Sequence, residues 1–119
     1  MDTLLNIFKR NVTTLANRPF LGTREQLPAG ADGKVQFGDY TWQTWGEIDA
    51  KAQKLAKGFM VLDLCPEVRA EDKDWRFVGI WAKNRWEWTT TLLAAMHYKI
   101  TTVGFYDAMS NEQVDFILN

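Results

Sequence analysis

One cysteine, one histidine and three prolines are all that the 119 residues contain of these types. A lone thiol, Cys65, cannot close a disulfide within the chain, which suits a reducing compartment. With His97 as the single histidine, no His/Cys metal cluster can be assembled from this chain. An excess of one charge is missing too, since 14 basic and 15 acidic side chains leave a formal net charge of −1. Neither nucleic acid nor an anionic membrane is thereby implied as a partner. No apolar run approaches the roughly 20 residues that a membrane span needs. Repeats and low-complexity tracts are absent.

Glycine-rich phosphate loops are lacking as well. The nearest approach is Gly30-Ala-Asp-Gly33-Lys34-Val35. A P-loop requires a wider spacing between its glycines, then Lys and a hydroxyl residue, between a strand and a helix. Here the spacing is short, Val35 stands where the hydroxyl belongs, and Asp32 would repel a phosphate. An ordinary turn is the reading preferred. No glycine fingerprint follows Ala82, which argues against a dinucleotide site of the usual type.

What is present is a sequence of amphipathic elements. Helix one is expected over Thr3–Ala16, where Leu4, Phe8, Val12 and Leu15 share one face. This amphipathic start carries Lys9, Arg10 and Arg18, yet it lacks serine and holds Asp2, so it reads as a structural helix rather than a mitochondrial transit peptide. Phe20–Arg24 and Phe37–Trp42 are strand candidates of a β-hairpin, joined by an exposed loop holding Pro28, Gly30 and Gly33. Helix two has the clearest pattern, with Trp45, Ile48, Ala52, Leu55, Phe59 and Leu62 stepping by three and four. Thr44 and Glu47 make a capping box at its start. Pro66 follows, and Glu67–Arg76 reads as a charged loop.

The stretch Phe77–Asp107 reads as strand, helix, strand. Phe77–Ala82 is an unbroken apolar run, as expected of a strand buried on both faces of a parallel sheet. Asn84 and Glu87 stand three apart at the mouth of the next helix, where their side chains can cap orphan N–H groups. Trp88, Leu92, Ala95 and Met96 supply the inward stripe, and Thr101–Tyr106 leaves on a second apolar run. This is a parallel βαβ unit and implies an open α/β sheet. Ser110 and Gln113 repeat the capping signature before a fourth helix with Val114, Ile117 and Leu118 on its apolar side.

The expected order is therefore α, β-β, α, β, α, β, α, forming residues 1–119 of one incomplete α/β domain with no internal boundary. Two parallel strands with attached helices leave an unpaired edge and uncovered apolar surface. A covering partner, or the remainder of a larger fold, is expected there.

The same residues carry a resemblance. Gly79, Ile80, Asn84, Arg85, Glu87 and Trp88, then Val103, Tyr106, Asp107, Glu112, Ile117 and Asn119, match in order the opening of the large domain of the long-chain acyl-CoA synthetases. Arg18–Arg24 (RPFLGTR) and Tyr40–Ile48 (YTWQTWGEI) are similar to that family's opening hairpin and first long helix. The chain thus resembles the N-terminal segment of a long-chain fatty acid–CoA ligase of the adenylate-forming, AMP-binding superfamily. The resemblance implies ATP, magnesium and CoA for the full-length family, with fatty acid and CoA as substrates. It also implies an intracellular protein, leaving open the cytoplasmic face of a membrane or a mitochondrion.

The family's chemistry needs a Ser/Thr/Gly-rich triphosphate loop with a lysine, a Tyr-Gly-x-Thr-Glu element, a ribose-binding aspartate and a lysine on a mobile C-terminal domain. None of these motifs occurs in the 119 residues. The segment alone is expected to be a non-catalytic scaffold that binds no cofactor firmly and no metal. The alternative is a non-catalytic structural subunit of a larger assembly, derived from such an enzyme. A third reading is a small-ligand binding module.

Ligands in open α/β sheets gather beyond the carboxyl ends of the strands. Gly104, Tyr106 and Asp107 fall at such an end, and in relatives the equivalent turn borders the channel through which CoA reaches the acyl group. They are the candidate site residues, beside the plainer reading of a turn that reverses the chain before Ser110. Helix four shows no arginine for the CoA ribose phosphate, which some relatives have. For His97 a helix-end cap is preferred to proton transfer, and for Cys65 a small buried filler to a nucleophile. Trp45 and Trp88 fall on core stripes, while Trp42, Trp75, Trp81 and Trp86 suit core or interface.

Overall fold

A computed structural model describes residues 2–118. They form two compact units, one ending at Ala50 and the other beginning at Lys51. The architecture is mixed α/β, with antiparallel hairpins and one parallel pair. No described helix is long and apolar enough to cross a membrane.

The first unit begins with α1 (Leu4–Leu15), whose Thr3 Oγ1 accepts from the Asn6 N–H at 3.2 Å. Strands β1 (Pro19–Leu27) and β2 (Gln36–Thr44) pair antiparallel, each longer than the apolar pattern marks. The extra residues, such as Glu25 and Gln26, are polar, so the pairing lengthens without any hydrophobic signal. Arg24 explains part of that extension. Its Nε and Nη2 donate to the Gly38 and Phe37 carbonyls at 2.7 and 3.0 Å, and its guanidinium lies over the Phe37 and Tyr40 rings. The loop between the strands closes as an ordinary turn. Gly33 at φ +73° donates to the Gly30 carbonyl, and Asp32 accepts from the Lys34 N–H. Phe8, Phe20 and Trp45 form the aromatic centre, Phe20 and Trp45 stacked at 3.9 Å between ring centroids.

Helix α2 (Trp45–Val61) starts at the capping box expected of Thr44 and Glu47. The Thr44 N–H donates to Glu47 Oε2 at 2.8 Å, and the Glu47 N–H donates to Thr44 Oγ1 at 3.2 Å. Ile48, Ala52 and Phe59 are buried as their spacing predicts, joined by Ala56. Leu62 departs from the pattern and is 67% exposed. The helix has already ended there: Asp63 turns to φ +47° and the Leu64 N–H donates back to the Phe59 carbonyl at 3.0 Å. That closure is a Schellman-type stop, and it takes residue 62 off the buried stripe.

In the second unit the charged stretch Glu67–Arg76 is a hairpin rather than a loop, with β3 (Val68–Ala70) and β4 (Lys73–Trp75) antiparallel. Glu71 and Asp72 both take positive φ, 51° and 58°. This is the backbone of a type I′ turn without the Asn-Gly that usually marks one. Strand β5 (Phe77–Trp81) then pairs parallel with β6 (Thr101–Phe105), and α3 (Trp86–Met96) is the crossover, as the βαβ reading expects.

Burial corrects that reading in detail. Phe77 and Trp81 are each 45% exposed, so β5 is not covered on both faces; Ile80 is its buried residue. On α3 the buried positions are Thr90, Leu93, Ala94 and Ala95, while Trp88, Leu92 and Met96 are half-buried. The helix is apolar around most of its girth, so spacing alone does not select the inner face. Helix α4 (Asn111–Leu118) is capped by the exchange between Ser110 and Gln113. It buries Val114 but leaves Ile117 and Leu118 exposed. Asn119, the last matched position, lies outside the described residues.

Candidate functional site

Parallel strands end on the same side, so the turns that follow β5 and β6 face a common space. That space is a cleft of about 730 Å³ lined by Ala82, Lys83, Asn84, Trp88, Gly104, Phe105, Tyr106 and Asp107. The candidates Gly104, Tyr106 and Asp107 therefore stand together on one of its walls. Lys83, Asn84 and Trp88 are the other polar or aromatic side chains supplied from the β5 side and α3, with Ala82 and Phe105 completing the lining.

Two features shape the pocket. The first is a tether across the strand ends, in which the Trp81 indole N–H donates to the Tyr106 carbonyl at 3.0 Å. The same carbonyl accepts the Met109 N–H at 3.1 Å, so the turn after β6 is held from both sides. The second is the absence of side chains. A Cβ on Gly104 would sit 3.6 Å from Trp88 Cζ2, so the indole is left open to the cleft. A Cβ on Gly79 would come within 2.9 Å of Phe105 Cε2, so only glycine lets the Phe105 ring lie across β5. Phe105 is buried there, whereas Tyr106 is 78% exposed.

Asn84 does not cap α3, contrary to the expectation from spacing. Arg85 occupies the cap position in extended backbone and makes no side-chain cap bond. Glu87 is taken by Arg85 as well, with Nε donating to Oε2 at 2.7 Å and Nη2 to Oε1 at 2.6 Å. Asn84 thus falls one residue before the cap, and the charge-assisted pair with Arg85 engages the Glu87 carboxylate that spacing offered to the cap. The hydrogen bonds from Arg85 hold the Glu87 carboxyl below its ordinary range and raise the Arg85 guanidinium above its own. Asn84 lines the cleft instead.

The remaining candidates fall elsewhere. His97 stands at the C-terminal cap of α3, its backbone N–H donating to the Ala94 carbonyl at 3.1 Å. Cys65 is buried, and burial pushes its thiol up despite the nearby Arg76 charge. A raised thiol is a poor nucleophile, so the filler reading fits. Among the described residues no group of three or more His, Cys, Asp or Glu side chains is placed to hold a metal ion. Lys83 was missed by sequence reasoning; its position directly after a strand end was the available signal.

Comparison with known proteins places this geometry. Residues 19–119 match the family described as AMP-binding enzyme. Long chain acyl-CoA synthetase 4 of Arabidopsis thaliana is 29% identical over 100% of this chain and 16% of its own length. Long chain acyl-CoA synthetase 7, peroxisomal, from the same plant is 32% identical over 100% of this chain and 15% of its own length. Long-chain-fatty-acid--CoA ligase 6 of Mus musculus is 28% identical, covering 98% of this chain and 14% of its length. The chain thus spans about one-sixth or less of the curated relatives it matches. Among solved structures, the A-PCP didomain of carboxylic acid reductase from Segniliparus rugosus in complex with AMP superposes with a TM-score of 0.68. The match has 14% identity and covers 96% of this chain and 16% of that one.

Proposed function

Because the chain belongs to the AMP-binding enzyme family, we propose that it is the N-terminal segment of a long-chain fatty acid–CoA ligase and serves as scaffold rather than catalyst. The observation that carries this reading is the ordered match to long-chain ligases across the whole chain, set against the small share of those ligases it spans. On this reading residues 1–119 are the first part of one α/β domain.

The parent reaction would join a fatty acid to ATP, giving acyl-adenylate and pyrophosphate, after which the CoA thiol displaces AMP. What the segment contributes is position. The β5–α3–β6 unit holds the turns after Trp81 and Phe105 at the rim of one cleft, and the Trp81–Tyr106 tether fixes that rim. We assign the cleft, through Gly104, Tyr106 and Asp107, to the wall of the CoA channel. The exposed Phe77, Trp81 and Phe116 side chains support a covering partner, here the remainder of the synthetase.

Exchange of labelled pyrophosphate into ATP, measured on the 119-residue chain with palmitate, tests the scaffold role. No exchange above the protein-free rate is expected, and exchange that saturates with palmitate would overturn it.

A further inference from the structure

Resting on the reading of the cleft as a CoA wall, we propose that Lys83 is the residue that recognises a phosphate-bearing group there. The cleft lining contains one cation, Lys83, and one carboxylate, Asp107. Neither makes an ion pair or a side-chain hydrogen bond among the described residues. The nearest cation in sequence, Arg85, is engaged with Glu87. Lys83 is therefore the charge left available at the strand ends.

Its surroundings narrow the ligand class. Asn84 follows Lys83 on the same turn and offers amide donors. The Trp88 indole, uncovered by Gly104, offers an apolar face. Asp107, on the turn after β6, repels an anion and accepts N–H or O–H donors. An anion is thus directed to the Lys83 turn, while the rest of the ligand meets an apolar ring and an acceptor. A pyrophosphate joined to an amide-bearing arm satisfies that pattern, whereas a bare triphosphate would face Asp107 with more charge than the single Lys83 offsets.

Lys83→Met, Lys83→Arg and Gly104→Phe chains, checked for native circular dichroism, are titrated calorimetrically with CoA, pantetheine and inorganic pyrophosphate. In Lys83→Met the affinity for CoA and for pyrophosphate is expected to fall on the order of tenfold. Lys83→Arg retains it within about threefold, since charge is kept but the donor geometry differs. Pantetheine binding is unchanged by either, and the Lys83 effect shrinks as salt rises. CoA binding equal in Lys83→Met and the parent, while Gly104→Phe abolishes it, would overturn the role of Lys83 and leave the CoA wall standing. Pyrophosphate binding that depends on Lys83, with no CoA binding, supports Lys83 and overturns the CoA wall. Binding of neither ligand overturns both.

Discussion

The indole of Trp81, the last residue of β5, donates to the carbonyl of Tyr106, the first residue beyond β6, at 3.0 Å. The two stand 25 positions apart in the chain, with all of α3 between them. The bond therefore ties the two turns that carry the cleft. Trp81→Phe keeps an aromatic ring but removes the donor, and the Met109 N–H still satisfies the carbonyl. A loss of about 1 kcal/mol is expected, read as a lower urea midpoint with an unchanged slope. Amide exchange at residues 106–109 should quicken more than at β5, and uniform quickening would contradict a local tether.

Gly79 is required by packing. Gly79→Ala forces Cβ against Phe105 Cε2 at 2.9 Å, and the ring belongs to a buried residue with little room to retreat. Overpacking of this kind costs about 1–3 kcal/mol. Gly79→Ala combined with Phe105→Leu should recover part of the loss in denaturant unfolding. Full additivity of the two would show that they do not meet.

Lys99 closes α3 at φ +55°, with the Ile100 N–H donating to the Ala95 carbonyl at 2.9 Å. This left-handed closing position favours glycine, and a side chain there costs about 1 kcal/mol. Lys99→Gly should raise the unfolding midpoint by an amount equivalent to about 0.5–1 kcal/mol. A lowered midpoint would mean that the Lys99 side chain does more than turn the chain.

The Arg85–Glu87 pair gives a pH signature. Hydrogen bonds from Arg85 lower the folded Glu87 carboxyl below its ordinary 4.5, so its contribution to stability is present above that value. It is lost as pH falls through the lower, folded value. Glu87→Gln should therefore melt below the parent at pH 7 and converge with it as pH falls below about 4.5. The pair is solvent-exposed and screened, so the gap is small and narrows with salt. A gap that widens in acid would contradict the assignment.

The legible parts of this fold are those set by neighbours in sequence. Thr44 with Glu47 and Ser110 with Gln113 are caps three residues apart, and both form as read. The parallel β5–β6 pair was legible because two apolar runs flank a helix of crossover length. The Asn84–Glu87 cap was misread because the helix begins one residue later, with Arg85 at the cap and paired to Glu87, which a cap pattern does not encode. The β3–β4 hairpin was invisible because its turn residues, Glu71 and Asp72, carry none of the usual turn chemistry. Exposure of Phe77 and Trp81 depends on what covers the sheet, which composition does not reveal. For the cleft, the strand-end rule found Gly104, Tyr106 and Asp107, while Lys83 needed the other turn brought beside them.

The intact mass of the native polypeptide in its source, with peptide sequencing across Asn119, decides whether these residues open a longer ligase. A ligase segment predicts a chain several times heavier than 13.8 kDa that carries the triphosphate-loop and Tyr-Gly-x-Thr-Glu elements beyond this stretch. A native chain of 13.8 kDa ending at Asn119, or an extension without those elements, would contradict it.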